Sequence, residues 1–359
     1  MGFPIFNSKE LSNGKVYSLS NPGGRYEYFH AKLGSKIDEV KSFLENNTFV
    51  GFMLAKKMAG KGTYAKMLEE ILGRERFAHI SVGDIVREVH EILVDSSRSA
   101  EKKNMRHYLE KYYRGLMTIE EAFEAIENRS QGKISIPTEL ILPLLKREIE
   151  KIGRKALFID GLPRNLDQVS YSLYFRDLIN YRDDPDFFVL VDTPLEVIEN
   201  RMKHRLVCPV CNTSKSLTYN PTKFVNYDAG QNKFYLLCDN VNCSGYNNAR
   251  YVEKEGDASG VASIKERLDL DEKLMKMAIT IYGIPKVLVR SAVPVEIAHD
   301  YLEDYEFQQE YSYKYEDGEI KVSKKPWEFK DDSGVVSNTM LAATYVLNMF
   351  SQIHKILIG

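Results

Sequence analysis

Phe49-Val-Gly-Phe-Met-Leu54 runs through Ala55-Lys-Lys-Met-Ala-Gly-Lys-Gly-Thr63 into a helical stretch that ends at Leu72. The first six residues are an uninterrupted apolar run, the pattern of a strand buried on both faces. The nine that follow form a basic, glycine-containing loop in front of a helix. A loop in that setting aims backbone N–H groups and the positive end of a helix at phosphate. Lys61 is placed to reach a transferred phosphate, and the Thr63 hydroxyl to face magnesium. Gly60-Lys-Gly-Thr63 is a short motif, and an ordinary basic loop before a helix is the alternative reading.

Outward from this stretch the same alternation recurs. Buried-strand patterns lie at 78–81, 155–160, 186–192 and 286–290, with helical segments at 85–94, 138–151, 194–204 and 294–302. Strands alternating with helices predict an α/β fold, a parallel sheet covered on both faces in three layers. Two insertions break the alternation. Residues 95–131 are polar and helical in character. Residues 208–258 hold all four cysteines among many Asn, Thr, Tyr and Gly. Residues 36–46 place Ile37, Val40, Phe43 and Leu44 at helical spacing, which predicts a helix closing an N-terminal extension. Residues 338–358 carry Leu341, Tyr345, Val346, Met349, Ile353 and Ile356 on or near one helical face, which docks on the chain's own core or on a second copy. Trp327 lies in a charged stretch read as loop.

The 359 residues, 43% hydrophobic and 28% charged, have the composition of a soluble globular chain. Lys plus Arg (49) nearly balances Asp plus Glu (51), so no electrostatic footprint for nucleic acid or an anionic membrane is present. An anionic ligand must then be held by a local positive cluster. No apolar stretch flanked by basic residues opens the sequence, and the uncharged stretch 335–354 near the C-terminus is too polar to span a bilayer. No signal peptide is expected, and the cytoplasm is the expected compartment.

Two motifs stand at strand ends, where ligands bind in open α/β sheets. They are Ser81-Val-Gly-Asp-Ile-Val-Arg87 and Asp160-Gly-Leu-Pro-Arg-Asn-Leu-Asp-Gln168. Asp84 and Asp160 also fit helix-cap or turn positions. The cysteines form two knuckles, Cys208-Pro-Val-Cys211 and Cys238-Asp-Asn-Val-Asn-Cys243, separated by 26 residues. Paired knuckles are the usual frame of tetrahedral zinc, with free thiols or partial disulfides as the alternative. Four thiolates leave no open coordination site, so such a metal is structural.

In these motifs the chain resembles the adenylate kinase family over about residues 49–303. The family's loop reads Gly-Pro-Pro-Gly-x-Gly-Lys-Gly-Thr. This sequence keeps Gly60–Thr63 and departs at Ala55, Lys56, Lys57 and Met58. The two strand-end segments are similar to the family's Ser-Thr-Gly-Asp-x-x-Arg and Asp-Gly-Phe-Pro-Arg-x-x-x-Gln. The resemblance implies a P-loop NTPase fold in which 82–137 is an acceptor-binding (NMP) insertion and 203–262 a zinc-ribbon-like lid. Residues 1–48 and 304–359 are then extensions, the second ending in a helix.

It implies a phosphotransferase acting on ATP and a nucleoside monophosphate, with AMP favoured (ATP + AMP = 2 ADP). UMP, CMP or another acceptor, and a nucleotide-binding pseudokinase or scaffold, are the alternatives. ATP is held by Ala59, Gly60, Lys61, Gly62, Thr63, Arg201 and Arg205. The acceptor is held by Val82, Arg87, Lys133, Ser135, Gly161, Arg164 and Gln168. Lys61, Arg87, Arg164, Arg205 and Arg267 carry the catalytic positive charge; Arg201, Arg205 and Arg267 are each also readable as ordinary solvated helix arginines. Asp84 and Asp160 hold waters of Mg2+, and Cys208, Cys211, Cys238 and Cys243 hold structural Zn2+. The family's lid ends in an Arg followed by paired acids. Here the region reads Lys254-Glu-Gly-Asp-Ala-Ser259, without that Arg. The implied partners are the two small nucleotides, with no nucleic acid and no membrane, for a monomer or homodimer.

Overall fold

A computed structural model describes residues 3–128, 136, 138–163, 172–254, 257 and 260–359. Asn21 caps the first helix, α1 (Pro22–Leu33), by accepting the Gly24 N–H, and Pro22 supplies a preset φ in the first turn. Two glycines hid this helix from the sequence reading. It is followed by α2 (Ser35–Asn46), β1 (Val50–Ala55), α3 (Lys61–Leu72), β2 (Phe77–Ser81) and α4 (Val82–Val94). The first insertion folds as α5 (Ser99–Tyr112) and α6 (Ile119–Glu127), the latter begun by a Thr118–Glu121 capping box. Then come α7 (Thr138–Ile152), β3 (Ala156–Asp160), α8 (Ser172–Leu178), β4 (Asp186–Asp192) and α9 (Leu195–Lys203).

The cysteine-bearing insertion holds the short strands β5 (Leu206–Val207), β6 (Ser214–Lys215), β7 (Val225–Asp228), β8 (Lys233–Leu236) and β9 (Val252–Glu253). The chain returns through α10 (Lys265–Thr280), β10 (Lys286–Arg290), β11 (Ala292–Pro294) and α11 (Val295–Tyr301). It ends in β12 (Gln309–Glu316), β13 (Glu319–Pro326), β14 (Glu328–Lys330), β15 (Val336–Thr339) and α12 (Ala342–Leu357).

The five apolar runs form one parallel sheet in the order β10-β4-β1-β3-β2. Side chains of each strand alternate between two large apolar layers, so both faces are covered. This is the three-layer α/β architecture of P-loop kinases. Gly51 is required near the start of β1, because a Cβ there would lie 2.6 Å from the Phe158 ring and 3.1 Å from Phe187.

Two expectations change at the C-terminal end, and one alternative is settled. Residues 336–339 form a strand paired with β11 and β14, so the last helix starts at Ala342 and not at 338. That helix packs on the chain's own core against α1, α2, α3 and β10, burying Tyr345, Val346, Met349 and Phe350. The self-docking alternative is thus the one adopted. Trp327 is buried against Tyr219 and Phe329 rather than lying in an open loop.

The hairpin β12–β13 lies on the cysteine-bearing insertion. Tyr315 stacks on Tyr227 at 4.2 Å between centroids, and Tyr313 lies 5.5 Å from Phe234. The Tyr313 hydroxyl donates to the Leu217 carbonyl (3.0 Å) and the Tyr311 N–H to the Thr218 carbonyl (2.8 Å).

Candidate functional site at the carboxyl ends of the sheet

Strand register sets the site. β2 and β3 end level with one another at Ser81 and Asp160, and β1 runs two residues past Met53, which lies opposite Asp160, to Ala55. The chain leaves β1 through residues 56–60 and enters α3 at Lys61. Gly60 has φ 104°, as its glycine permits, and a Cβ there would lie 2.9 Å from the Tyr64 ring. Met58 has φ 69°, where a side chain costs about 1–2 kcal/mol. The loop therefore keeps a left-handed turn without the glycine that would make it easy.

Side chains from elsewhere hold this turn. Arg201 of α9 donates to the carbonyls of Ala59 (2.9 Å) and Met58 (3.3 Å), and the Tyr64 hydroxyl also donates to Ala59 (2.7 Å). The Lys57 N–H donates to Asp271 of α10 at 3.1 Å. Lys56 reaches the Thr193 carbonyl at 3.4 Å and Asp332 at 3.3 Å.

Positive charge converges above the loop. Lys61 donates to the Ala55 carbonyl (2.8 Å) and lies 3.5 Å from Asp160. Arg205, just before the cysteine-bearing insertion, makes two bonds to Asp257, 2.6 and 2.5 Å. Arg267 pairs with Asp271 at 2.9 Å. Desolvation and the neighbouring charges of Arg205 and Arg267 pull the Lys57 ammonium below its ordinary pKa. Desolvation lowers Lys254 as well, and the repulsion of Arg205, Arg87 and Lys57 adds to it. These five cations therefore share one neighbourhood.

Ser81 caps α4 by accepting the Asp84 N–H at 3.3 Å. Asp84 pairs with Arg87 one turn on, and both remain exposed. Asp84 thus lies in the first helical turn without being the cap itself, whereas Asp160 ends a strand.

Of the residues singled out in the sequence, Lys61, Asp84, Arg87, Asp160, Arg205 and Arg267 are brought to this end of the sheet. Gly62 and Thr63 open α3 with their surfaces exposed, and Ala59 is buried beneath the turn. Gly161 turns the chain off β3 at φ 90°. Val82 is buried in the apolar layer. Arg201 is spent on the loop's own Met58 and Ala59 carbonyls. Lys133, Ser135, Arg164 and Gln168 lie outside the described residues. Lys57, Asp271 and Asp332 were missed as site residues. Asp271 stands four positions after Arg267, the spacing of a helical ion pair, and that was the available signal.

Cys208, Cys211, Cys238 and Cys243 come together with all four sulfurs within 4.8 Å of one another. The Cys211 and Cys238 sulfurs are 3.7 Å apart. Tetrahedral zinc with Zn–S near 2.3 Å requires an S···S edge of about 3.8 Å, whereas a disulfide needs about 2.05 Å. Asn212 and Asn247, at φ 56° and 54°, make the left-handed knuckle turns, and the Gly245 N–H donates to the Cys243 sulfur at 3.3 Å. Burial pushes the Cys211 thiol up, but hydrogen bonds from Thr213 and Asn240 outweigh it and bring it to about 6. Burial pushes Cys238 up to about 12. The donor set fits a closed tetrahedral metal.

A parallel sheet with a phosphate-type loop between its central strand and the next helix defines the class of P-loop kinases. No family model matches the chain. It is 28% identical over 231 residues to an adenylate kinase of Clostridium acetobutylicum, covering 64% of this chain and 85% of that one. To an adenylate kinase of Thermotoga petrophila it is 31% identical over 166 residues, 46% of this chain and 62% of the other. To one of Clostridium kluyveri it is 28% identical over 226 residues, 62% and 81%. The chain is a relative of the adenylate kinase family. Among the described residues, no helix is long and apolar enough to cross a membrane.

Proposed function

We propose that this protein is a nucleoside monophosphate kinase that transfers the γ-phosphoryl group of ATP to AMP. An oxygen of the acceptor phosphate attacks the γ-phosphorus, the bond to the bridging oxygen of ADP breaks, and two ADP leave. The supporting observation is the convergence of Lys61, Lys57, Arg87, Arg205, Lys254 and Arg267 at the carboxyl ends of β1, β2 and β3. Phosphoryl transfer asks for positioning and positive charge more than for covalent chemistry.

In this reading the amides of Ala59, Gly60, Lys61 and Gly62 cradle the ATP phosphates, with Thr63 beside them. Arg87 and Arg164 grip the acceptor phosphate. The backbone at Val82 and Gly161, with Lys133, Ser135 and Gln168, surrounds the acceptor base. Arg205 and Arg267 stabilise the transferring group, and Lys254 stands where the family's lid carries an Arg. Arg201 supports the loop on which ATP rests. Asp84 and Asp160 would hold waters of Mg2+, which neutralises charge on the phosphates. The four cysteines hold structural Zn2+ in a lid formed by 203–262, and 82–137 is the acceptor insertion. The compartment is cytoplasmic.

A coupled assay of ADP release with AMP, UMP and CMP tests the activity and the acceptor together. Turnover with AMP at least about tenfold above the other two is expected, since a site that hydrogen-bonds the base rejects others. A second reading, nucleotide binding without transfer, draws on Met58 in its left-handed turn and on the Lys at 254. It predicts affinity for a bisubstrate dinucleotide with no ADP release.

A further inference from the structure

We propose that Asp271 is a positioning residue for the donor nucleotide: it fixes the phosphate loop through the Lys57 amide and orients Arg267 through the same carboxylate. This rests on the kinase reading and deepens it. Asp271 is 5% exposed, on the helix that returns from the lid. One oxygen accepts the Lys57 N–H at 3.1 Å, and the other lies 2.9 Å from Arg267. Lys57 stands where the family's loop has a proline, which has no N–H. This chain therefore gains a backbone donor in the loop, and Asp271 accepts it.

The need for such an anchor is local. Lys57 precedes Met58, whose left-handed turn lacks its glycine. The two carbonyls after the amide are held by Arg201, so Asp271 supplies the matching restraint on the donor side of the turn. A carboxylate this close to Lys61 and Arg267 opposes a phosphate electrostatically. Its value lies in geometry: burial raises the carboxyl's pKa, and the pull of Arg267 and Lys61 offsets only part of that.

Wild type, Asp271→Ala and Asp271→Asn are compared by steady-state kinetics in both substrates. Hydrogen exchange of the Lys57 amide is measured in the same three proteins. Asp271→Ala should raise KM for ATP about tenfold, leave KM for the monophosphate within about twofold, and expose the Lys57 amide. Asp271→Asn keeps an acceptor for that amide but loses the ion pair. It should hold KM for ATP within about threefold of wild type, keep the amide protected, and lower kcat about tenfold.

An Asp271→Ala protein whose two KM values rise equally, or not at all, overturns the proposal. So does an Asp271→Asn protein with an exposed Lys57 amide or a tenfold rise in KM for ATP, and this arm decides the matter if the alanine variant does not fold. A wild type that protects the amide yet turns over no nucleotide would sink the kinase reading instead, leaving the hydrogen bond in place.

Discussion

The two insertions are held by different physics. The first insertion, α5 and α6, part of the proposed acceptor insertion, buries Met105, Leu109, Ala122, Phe123 and Ile126 in the same apolar layer that covers one face of the main sheet. Its stability is part of the core's. The cysteine-bearing insertion, the proposed lid, carries only a small cluster of its own, centred on Cys208, Leu236, Cys238, Cys243 and Tyr251, and its strands are two to four residues long. Such a unit cannot bury enough surface to fold by itself and needs a metal or a docking partner. Here it has the sulfur tetrad on one side and the β12–β13 hairpin on the other. In the proposed reading, the part that closes over nucleotides is thus held by its own sulfur centre and by the hairpin, whereas α5 and α6 are held by the core they share.

The largest test of this contrast is removal of the proposed zinc. Structural zinc contributes on the order of 10 kcal/mol to the folding of small domains. Stripping it, or changing Cys208→Ser with Cys238→Ser, should expose the lid amides to hydrogen exchange and lower turnover about 100-fold, because the lid no longer excludes water. The amides of α5 and α6 should stay protected. A lid still protected without metal, or an acceptor insertion that loosens with it, would break the comparison.

Next is Phe123→Ala, which empties a buried site in α6. A loss of about 3–5 kcal/mol in denaturant unfolding is expected, as for other buried aromatics. The transition should remain single, since this insertion shares the sheet's core, and bound zinc should be unchanged. A separate low-denaturant transition would mean that the acceptor insertion is as independent as the lid.

The sequence showed the core and both knuckles because each obeys a short-range rule. Residues 49–54 and 186–192 are apolar runs of strand length, and the cysteine spacing is set by the turn around a metal. What it hid depends on distant partners. Tyr311, Tyr313 and Tyr315 alternate along β12, but nothing local says that their face meets Tyr227 and Phe234 some 80 residues earlier. Trp327 looks solvated among Lys and Glu until Tyr219 of the other insertion covers it. Asp271 was readable as a helical partner of Arg267, but not as the acceptor of a loop amide 214 positions away.

The smallest effect separates the lid's two supports. The hairpin's root is tied to the body of the protein, since the Trp327 N–H donates to the Gln308 carbonyl and the Gln308 N–H to the Thr339 carbonyl of β15. A lid that swings open must therefore shed the hairpin or drag its root. Tyr315→Ala removes a half-exposed stack worth about 1 kcal/mol and should leave the metal site untouched. If opening limits turnover, kcat and KM for ATP should both rise, by up to about fivefold, with kcat/KM nearly constant. Loss of the stack would then ease only a step that follows closure. A fall in kcat/KM at constant kcat would place the hairpin's influence on the open enzyme's capture of ATP, and the hairpin would be part of the binding surface rather than a restraint on the lid.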